Sequence, residues 1–261
     1  MKKWRLIPLK THNAFMNMAI DEAILQAKIK GIVPNTIRLY QWAPSAVSVG
    51  RFQKVENEVY VENCQAYGVD IVRRISGGGT VYHDSEGEIT YGVIADKETL
   101  ESSDIAVIYR KICKGLIEAA RILGVDAEFS PGSARQCPNI VVNGRKISGS
   151  AQAHKGNVVL QHGTILLDVD LDWMFKFLRV PWAKSHMDIL CVAERKITSL
   201  KHELGREVSK EEAQKALVKG FENALDIQLV EDELTDFEIK TAERLCKEKY
   251  STQKWNFEGK I

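Results

Sequence analysis

Apolar positions recur at helical spacing in "MNMAIDEAILQAKIKG", where Met18, Ile20, Ala23, Ile24 and Ala27 share a face and Gly31 closes the run. A second helical stripe covers 103–123: Ile105, Ile108, Ile112, Leu116, Ala119 and Leu123 line up, with Gly124 as the cap. Between the two the period shortens. "NTIRLYQW", "AVSVGRF" and "GVDIVRRI" are short, β-branched and aromatic, and read as strands. "GEITYGVIA" alternates like a strand. From Asn139 to Val169 the pattern predicts three antiparallel strands, turned at Asn143-Gly144 and at Lys155-Gly156-Asn157. In the tail, Ser209 with Glu212 and Thr235 with Glu238 are spaced as capping boxes ahead of apolar runs.

These elements predict one α/β domain over 1–261, with a mixed, mostly antiparallel central sheet flanked by helices. The part from about 205 to 261 is expected to be helical and packed on that sheet. No repeat or low-complexity stretch interrupts the chain.

Composition narrows the function classes. The chain has 261 residues, 44% hydrophobic and 27% charged, as in ordinary soluble domains. A formal charge of +1 gives no global field for nucleic acid or a membrane surface. No apolar run approaches a membrane span, and Arg5, Pro8 and Lys10 break any signal-peptide core. The five cysteines are scattered without a CxxC, so neither a zinc site nor a disulfide framework is indicated. A reducing, cytoplasmic setting is the expectation.

The chemistry concentrates in "RRISGGGTVYHD". Three successive glycines weaken a strand and need a reason: either a tight turn or bulge, or, the reading preferred here, backbone held open for a ligand. Exposed N–H groups of such a loop can cradle an anion, and Arg73 and Arg74 could add charge-assisted contacts. A strand follows the glycines where a P-loop would need a helix. His83 and Asp84 are adjacent and would face opposite sides of a strand, so a structural role outweighs a proton relay. Asp84 is read as capping the following turn. Lys146, in "NGRKISGSAQ", follows a hairpin and precedes small residues, an arrangement suited to a ligand packed against the strand. His162 beside Gly163 is equally compatible with a pocket wall and with a hydrogen-bonded core histidine.

Together these motifs resemble lipoate–protein ligases of the biotin/lipoate ligase superfamily. "RRISGGGTVYHD" is similar to their RRxSGGGxVxHD motif, "GRKISGSAQ" to their lysine motif and "LQHGTILL" to the HGTLL strand. "MNMAIDEAIL", "SVGRFQKVENEV" and "EKYSTQKWNF" match further family patterns in the right order over nearly the whole chain. The resemblance implies the biotin/lipoyl ligase catalytic-domain fold and the activation of lipoate with ATP and Mg²⁺ to lipoyl-AMP. The lipoyl group then passes to a lysine of a carrier domain, such as that of a 2-oxoacid dehydrogenase E2 or the glycine cleavage H protein. It implies that Arg73, Ser76, Gly77, Gly78 and Gly79 line the acyl and adenylate pocket, with Thr80, Val81 and His83 along the nucleotide. Lys146 would bridge the lipoyl carbonyl and the α-phosphate, and Ser150, Ala151, His162 and Gly163 would complete the walls. Val72 and Val81 are candidates for an apolar slot. No metal ligands are assigned.

Many such ligases carry an accessory domain after "WNF", which is not expected here; a separate partner polypeptide would then supply it. The alternative within the resemblance is an octanoyltransferase, which moves octanoyl from acyl carrier protein to the same carrier lysine without ATP. Cys137 would be its nucleophile, with Arg135 lowering the thiol's pKa. A non-catalytic adenylate binder on the same fold is a third possibility, opposed by retention of Lys146 and the whole glycine loop.

Overall fold

The computed structural model describes residues 1–132 and 138–260. Eleven strands form two sheets among the described residues: β1 (Lys2–His12), β2 (Thr36–Trp42), β3 (Ala46–Val49), β4 (Asp70–Arg73), β5 (Val81–His83), β6 (Glu88–Asp96), β7 (Glu128–Ser130), β8 (Asn139–Val142), β9 (Arg145–Lys155), β10 (Val158–Leu166) and β11 (Ile227–Glu231). The helices are α1 (Ala14–Ile29), α2 (Val55–Glu58), α3 (Val61–Ala66), α4 (Ile105–Ile122), α5 (Leu171–Met174), α6 (His186–Ala193), α7 (Leu200–Leu204), α8 (Lys210–Leu225), α9 (Asp236–Leu245) and α10 (Gln253–Glu258). A π-helical turn, Cys246–Tyr250, continues α9.

The large sheet runs β11-β1-β2-β6-β10-β9-β8-β7. Its β11–β1 and β1–β2 pairs are parallel and the rest antiparallel, as expected of a mixed, mostly antiparallel sheet. Strand alternation sends successive side chains to opposite faces. Ile37 and Leu39 of β2 join a core with α4 and α8, while Tyr40 and Trp42 join a second core with α1 and α9. Each fully buried aliphatic side chain of these cores contributes about 1.5–3 kcal/mol. The hairpin turn at Asn143-Gly144 has positive φ at both residues, 49° and 75°, which is the type I′ requirement that selects this dipeptide.

Three features depart from the sequence reading. β3, β4 and β5 form their own sheet, ordered β4-β3-β5, instead of joining the central one. That sheet packs Val47, Val49 and Tyr82 against Val55, Val59, Cys64 and Phe177 in a third core. The tail is not purely helical: β11 pairs in parallel with β1 and forms the edge of the large sheet. The Ser209–Glu212 box is only half made. Ser209 caps the Glu212 N–H, but the Glu212 carboxylate turns to Arg206. The Thr235–Glu238 box is complete, and the buried Glu238 also pairs with the buried Arg5 of β1. The tail is thereby tied to the first strand by charge as well as by backbone.

Candidate active site

A cavity of about 910 Å³ opens where the small sheet meets the large one. Gly78, Gly79, Thr80 and Val81 line one wall, and Lys146, Ser150, Ala151, His162 and Gly163 line the opposite side, with His83 and Trp42 between. The structure thus brings together most of the residues singled out in the sequence.

Lys146 owes its position to a bulge. β8 and β9 pair Ile140 with Ser148 and then Val141 with Lys146, leaving Ile147 as the extra residue. Ile147 turns into the core, and Lys146 comes round to the cavity side with Gly149. Two backbone bonds fix it, Lys146 N–H to the Lys196 carbonyl at 2.7 Å and Thr198 N–H to the Lys146 carbonyl at 2.9 Å. The ammonium lies over Gly149, where a Cβ would stand 2.6 Å from Nζ. A side chain at 149 would push the ammonium aside, so glycine lets the lysine rest where it does.

His162 is buried between two partners: Asp21 Oδ2 lies 2.9 Å from Nδ1 and Ser76 Oγ 2.6 Å from Nε2. Burial holds its pKa below the ordinary value, helped by the nearby Arg74 and His83 and opposed by Asp21. For Asp21, burial alone would raise the pKa, but Arg38 and His162 outweigh it and keep the carboxyl below the usual range. Asp21 also accepts from Arg38 at 2.7 Å and from the Tyr40 hydroxyl at 2.9 Å. Gly92 of β6 sits between Arg38 and His162 on neighbouring strands, under the Asp21 carboxylate.

His83 has an equivalent setting. Its Nδ1 is 2.7 Å from Glu88 Oε1, its Nε2 is 2.7 Å from Ser48 Oγ, and its ring stacks on Trp42 at 4.1 Å. Asp84 takes no part. It accepts from the Glu86 and Gly87 N–H groups and closes the turn.

Several expectations need correction. Arg73 does not line the pocket. Its guanidinium is buried and donates to the carbonyls of Gly50, Arg51, Gln53, Trp255, Asn256 and Phe257, tying α10 to β4. Strand alternation sends Arg73 to this side and its neighbour Arg74 to the cavity. Arg74 in turn is engaged with loop carbonyls and serine hydroxyls. Ser76 is fully buried and lies behind the wall, bonded to His162, and Gly77 is not among the lining residues. Val72 belongs to the core under α1, so the apolar lining comes from Met18, Tyr40, Trp42, Val81, Val141 and Ile197. Cys137 and Arg135 lie outside the described residues.

Sequence reasoning passed over Asp21, Arg38, Ser48 and Glu88. For Asp21 the signal was present: it stands three residues after Met18 and three before Ile24, on the face that should be apolar. Gly163 carries a prediction of its own. A Cβ there would collide with the Gly149 carbonyl and lie 2.9 Å from Ser150 Oγ. Gly163→Val is expected to prise β9 from β10, costing about 1–3 kcal/mol in a denaturant melt together with most of the activity. An unchanged midpoint would contradict this packing.

The geometry sets a lysine across from a glycine loop in one cavity. Residues 13–222 match the family described as "Lipoyl protein ligase A/B catalytic domain". The chain is 37% identical to the octanoyltransferase LipM of Brevibacillus brevis, covering 98% of this chain and 99% of that protein. It is 34% identical to the LipM of Bacillus subtilis, covering 97% and 98%. Among solved structures it superposes on the bipartite lipoate protein ligase of Thermoplasma acidophilum, with a TM-score of 0.84, 29% identity and coverage of 98% and 96%. A lipoate-protein ligase A bound with ATP superposes with a TM-score of 0.84, 30% identity and coverage of 98% and 99%. The chain belongs to the lipoyl protein ligase A/B catalytic-domain family, and it is an enzyme of lipoyl or octanoyl transfer. Among the described residues no helix is long and apolar enough to cross a membrane.

Proposed function

We propose that this chain is an octanoyltransferase, moving octanoyl from acyl carrier protein to a lysine of a lipoyl carrier domain. Such an acceptor is that of a 2-oxoacid dehydrogenase E2 or the glycine cleavage H protein. The observation that carries this reading is its end-to-end likeness to relatives named octanoyltransferase. Cys137 is the nucleophile. Its thiolate attacks the thioester carbonyl, the carrier's C–S bond breaks, and the carrier leaves as a thiol after protonation. The acceptor amine then attacks octanoyl-Cys137, a C–N bond forms, and the cysteine sulfur leaves with the amine's proton passing to it. Lys146 faces the reacting carbonyl and stabilises the oxyanion in both steps.

The cavity's donor set supports this reading over the ATP-dependent one. Two lysines, Lys146 and Lys196, and Arg74 supply positive charge, and none of the described lining residues is Asp or Glu. A Mg²⁺ ion beside a triphosphate is ordinarily held by one or two carboxylates, and this lining does not offer them. The ligase reading, favoured by the superposition on an ATP-bound ligase, is the second reading; a partner chain with an accessory domain belongs to it alone.

A trapping experiment tests the nucleophile. The purified chain, incubated with octanoyl-acyl carrier protein and no acceptor, is expected to gain one octanoyl group that maps to the Cys137 peptide. Cys137→Ser should gain none that hydroxylamine removes. An unmodified wild-type chain would sink the transferase reading.

A further inference from the structure

Arg74 is the junction of two buried chains of hydrogen bonds with the same chemistry. Its Nε donates to Ser76 Oγ at 3.3 Å, and Ser76 Oγ is 2.6 Å from His162 Nε2, whose Nδ1 faces Asp21. Its NH1 donates to Ser48 Oγ at 2.8 Å, and Ser48 Oγ is 2.7 Å from His83 Nε2, whose Nδ1 faces Glu88. The direction of every proton follows from the arginine, because a guanidinium only donates. Both serine oxygens accept from it. Each buried hydroxyl must then give its proton to histidine, as no other acceptor reaches it among the described residues. Each Nε2 therefore carries the lone pair, and each Nδ1–H points at a carboxylate. Arg74 is thus clamped from both sides.

The clamped guanidinium acts on the glycine loop. NH2 donates to the Gly77 carbonyl at 3.0 Å and to the Gly79 carbonyl at 2.9 Å. In a trans peptide the C=O and the next N–H point in opposite directions. The N–H groups of Gly78 and Thr80 therefore point away from Arg74. Both residues line the cavity, and neither N–H has an acceptor among the described residues.

We propose that Arg74 is a positioning residue. Held by the Ser76–His162–Asp21 and Ser48–His83–Glu88 arms, it fixes the loop so that the Gly78 and Thr80 N–H groups form an oxyanion-binding pair for the acyl carbonyl. This rests on the acyl-transfer reading. Lysine cannot replace the arginine, since an ammonium has three donors where five hydrogen bonds are made among the described residues alone.

The experiment has two arms. Long-range ¹H–¹⁵N spectra of the wild-type chain at neutral pH, with signals assigned by His83→Gln and His162→Gln, are expected to show both rings as Nδ1–H tautomers. That is the minor form of free histidine. An Nε2–H tautomer at either ring overturns the proposal without any activity measurement. In the second arm, Arg74→Lys and Arg74→Met are expected to lose about 10²–10³-fold in kcat, with little change in KM for the octanoyl carrier. A loss confined to KM, or full rescue by lysine, overturns it. Should Arg74→Met fail to fold, Ser76→Ala and Ser48→Ala replace it, each releasing one arm and lowering kcat. If the wild type transfers no octanoyl, the functional reading fails while the tautomer result still decides the ordering of the two arms.

Discussion

Lys146→Ala is expected to lower acyl transfer by about 10²–10³-fold while the protein stays folded. The ammonium lies over Gly149 at the cavity wall, positioned by backbone bonds to 196–198 that the substitution leaves intact. What disappears is the positive charge facing the oxyanion, so kcat falls in both half-reactions. Lys146→Arg should not fully rescue it, because a planar, longer guanidinium places its charge differently from the compact ammonium. Single-turnover measurements of thioester loss and of amide formation, alongside a thermal melt, check this. A loss confined to one half-reaction would remove Lys146 from the other.

Glu238→Ala carries the largest expected cost in stability, about 3–5 kcal/mol, because it leaves a charge buried without its partner. Arg5 and Glu238 are both nearly inaccessible and face each other across β1 and α9. The same carboxylate completes the capping box by accepting from the Thr235 N–H at 2.8 Å, so the helix start loses that half of its cap as well. A denaturant midpoint measures the loss. Glu238→Gln should recover part of it through hydrogen bonding. A variant within about 0.5 kcal/mol of wild type, the range of an ordinary surface change, would mean that the tail is not tied to β1 by this pair.

The sequence made visible what depends on local pattern. The β-branched and aromatic run "TIRLYQW", the alternation along "GEITYGVIA" and the stripe from Ile105 to Leu123 became β2, β6 and α4. Pattern alone misses β1, where Pro8 interrupts the strand at a register shift between Ile7 and Lys10. It also misses β11, a short edge strand whose residues are mostly exposed or half-buried. At the site, Gly78, Gly79, Lys146, His162 and Gly163 were legible because glycines set beside a charged or titratable side chain mark a close approach of ligand or backbone, where a strand built only for packing would carry side chains. The different fates of Arg73 and Arg74 were not. Two adjacent arginines look alike until the strand sends one into the anchor of α10 and the other toward the glycine loop. The bulge at Ile147 that re-aims Lys146 likewise exists only once β8 and β9 are paired.

Acyl transfer from a thioester without nucleotide is the activity expected of this chain. The measurement that tests it most directly is the mass of a lipoyl carrier domain incubated with the purified chain. One tube receives octanoyl-acyl carrier protein alone and another lipoate with MgATP. An octanoyl amide on the carrier lysine in the nucleotide-free tube is the result expected here. Modification only where lipoate and MgATP are present would contradict the claim and make the chain a ligase.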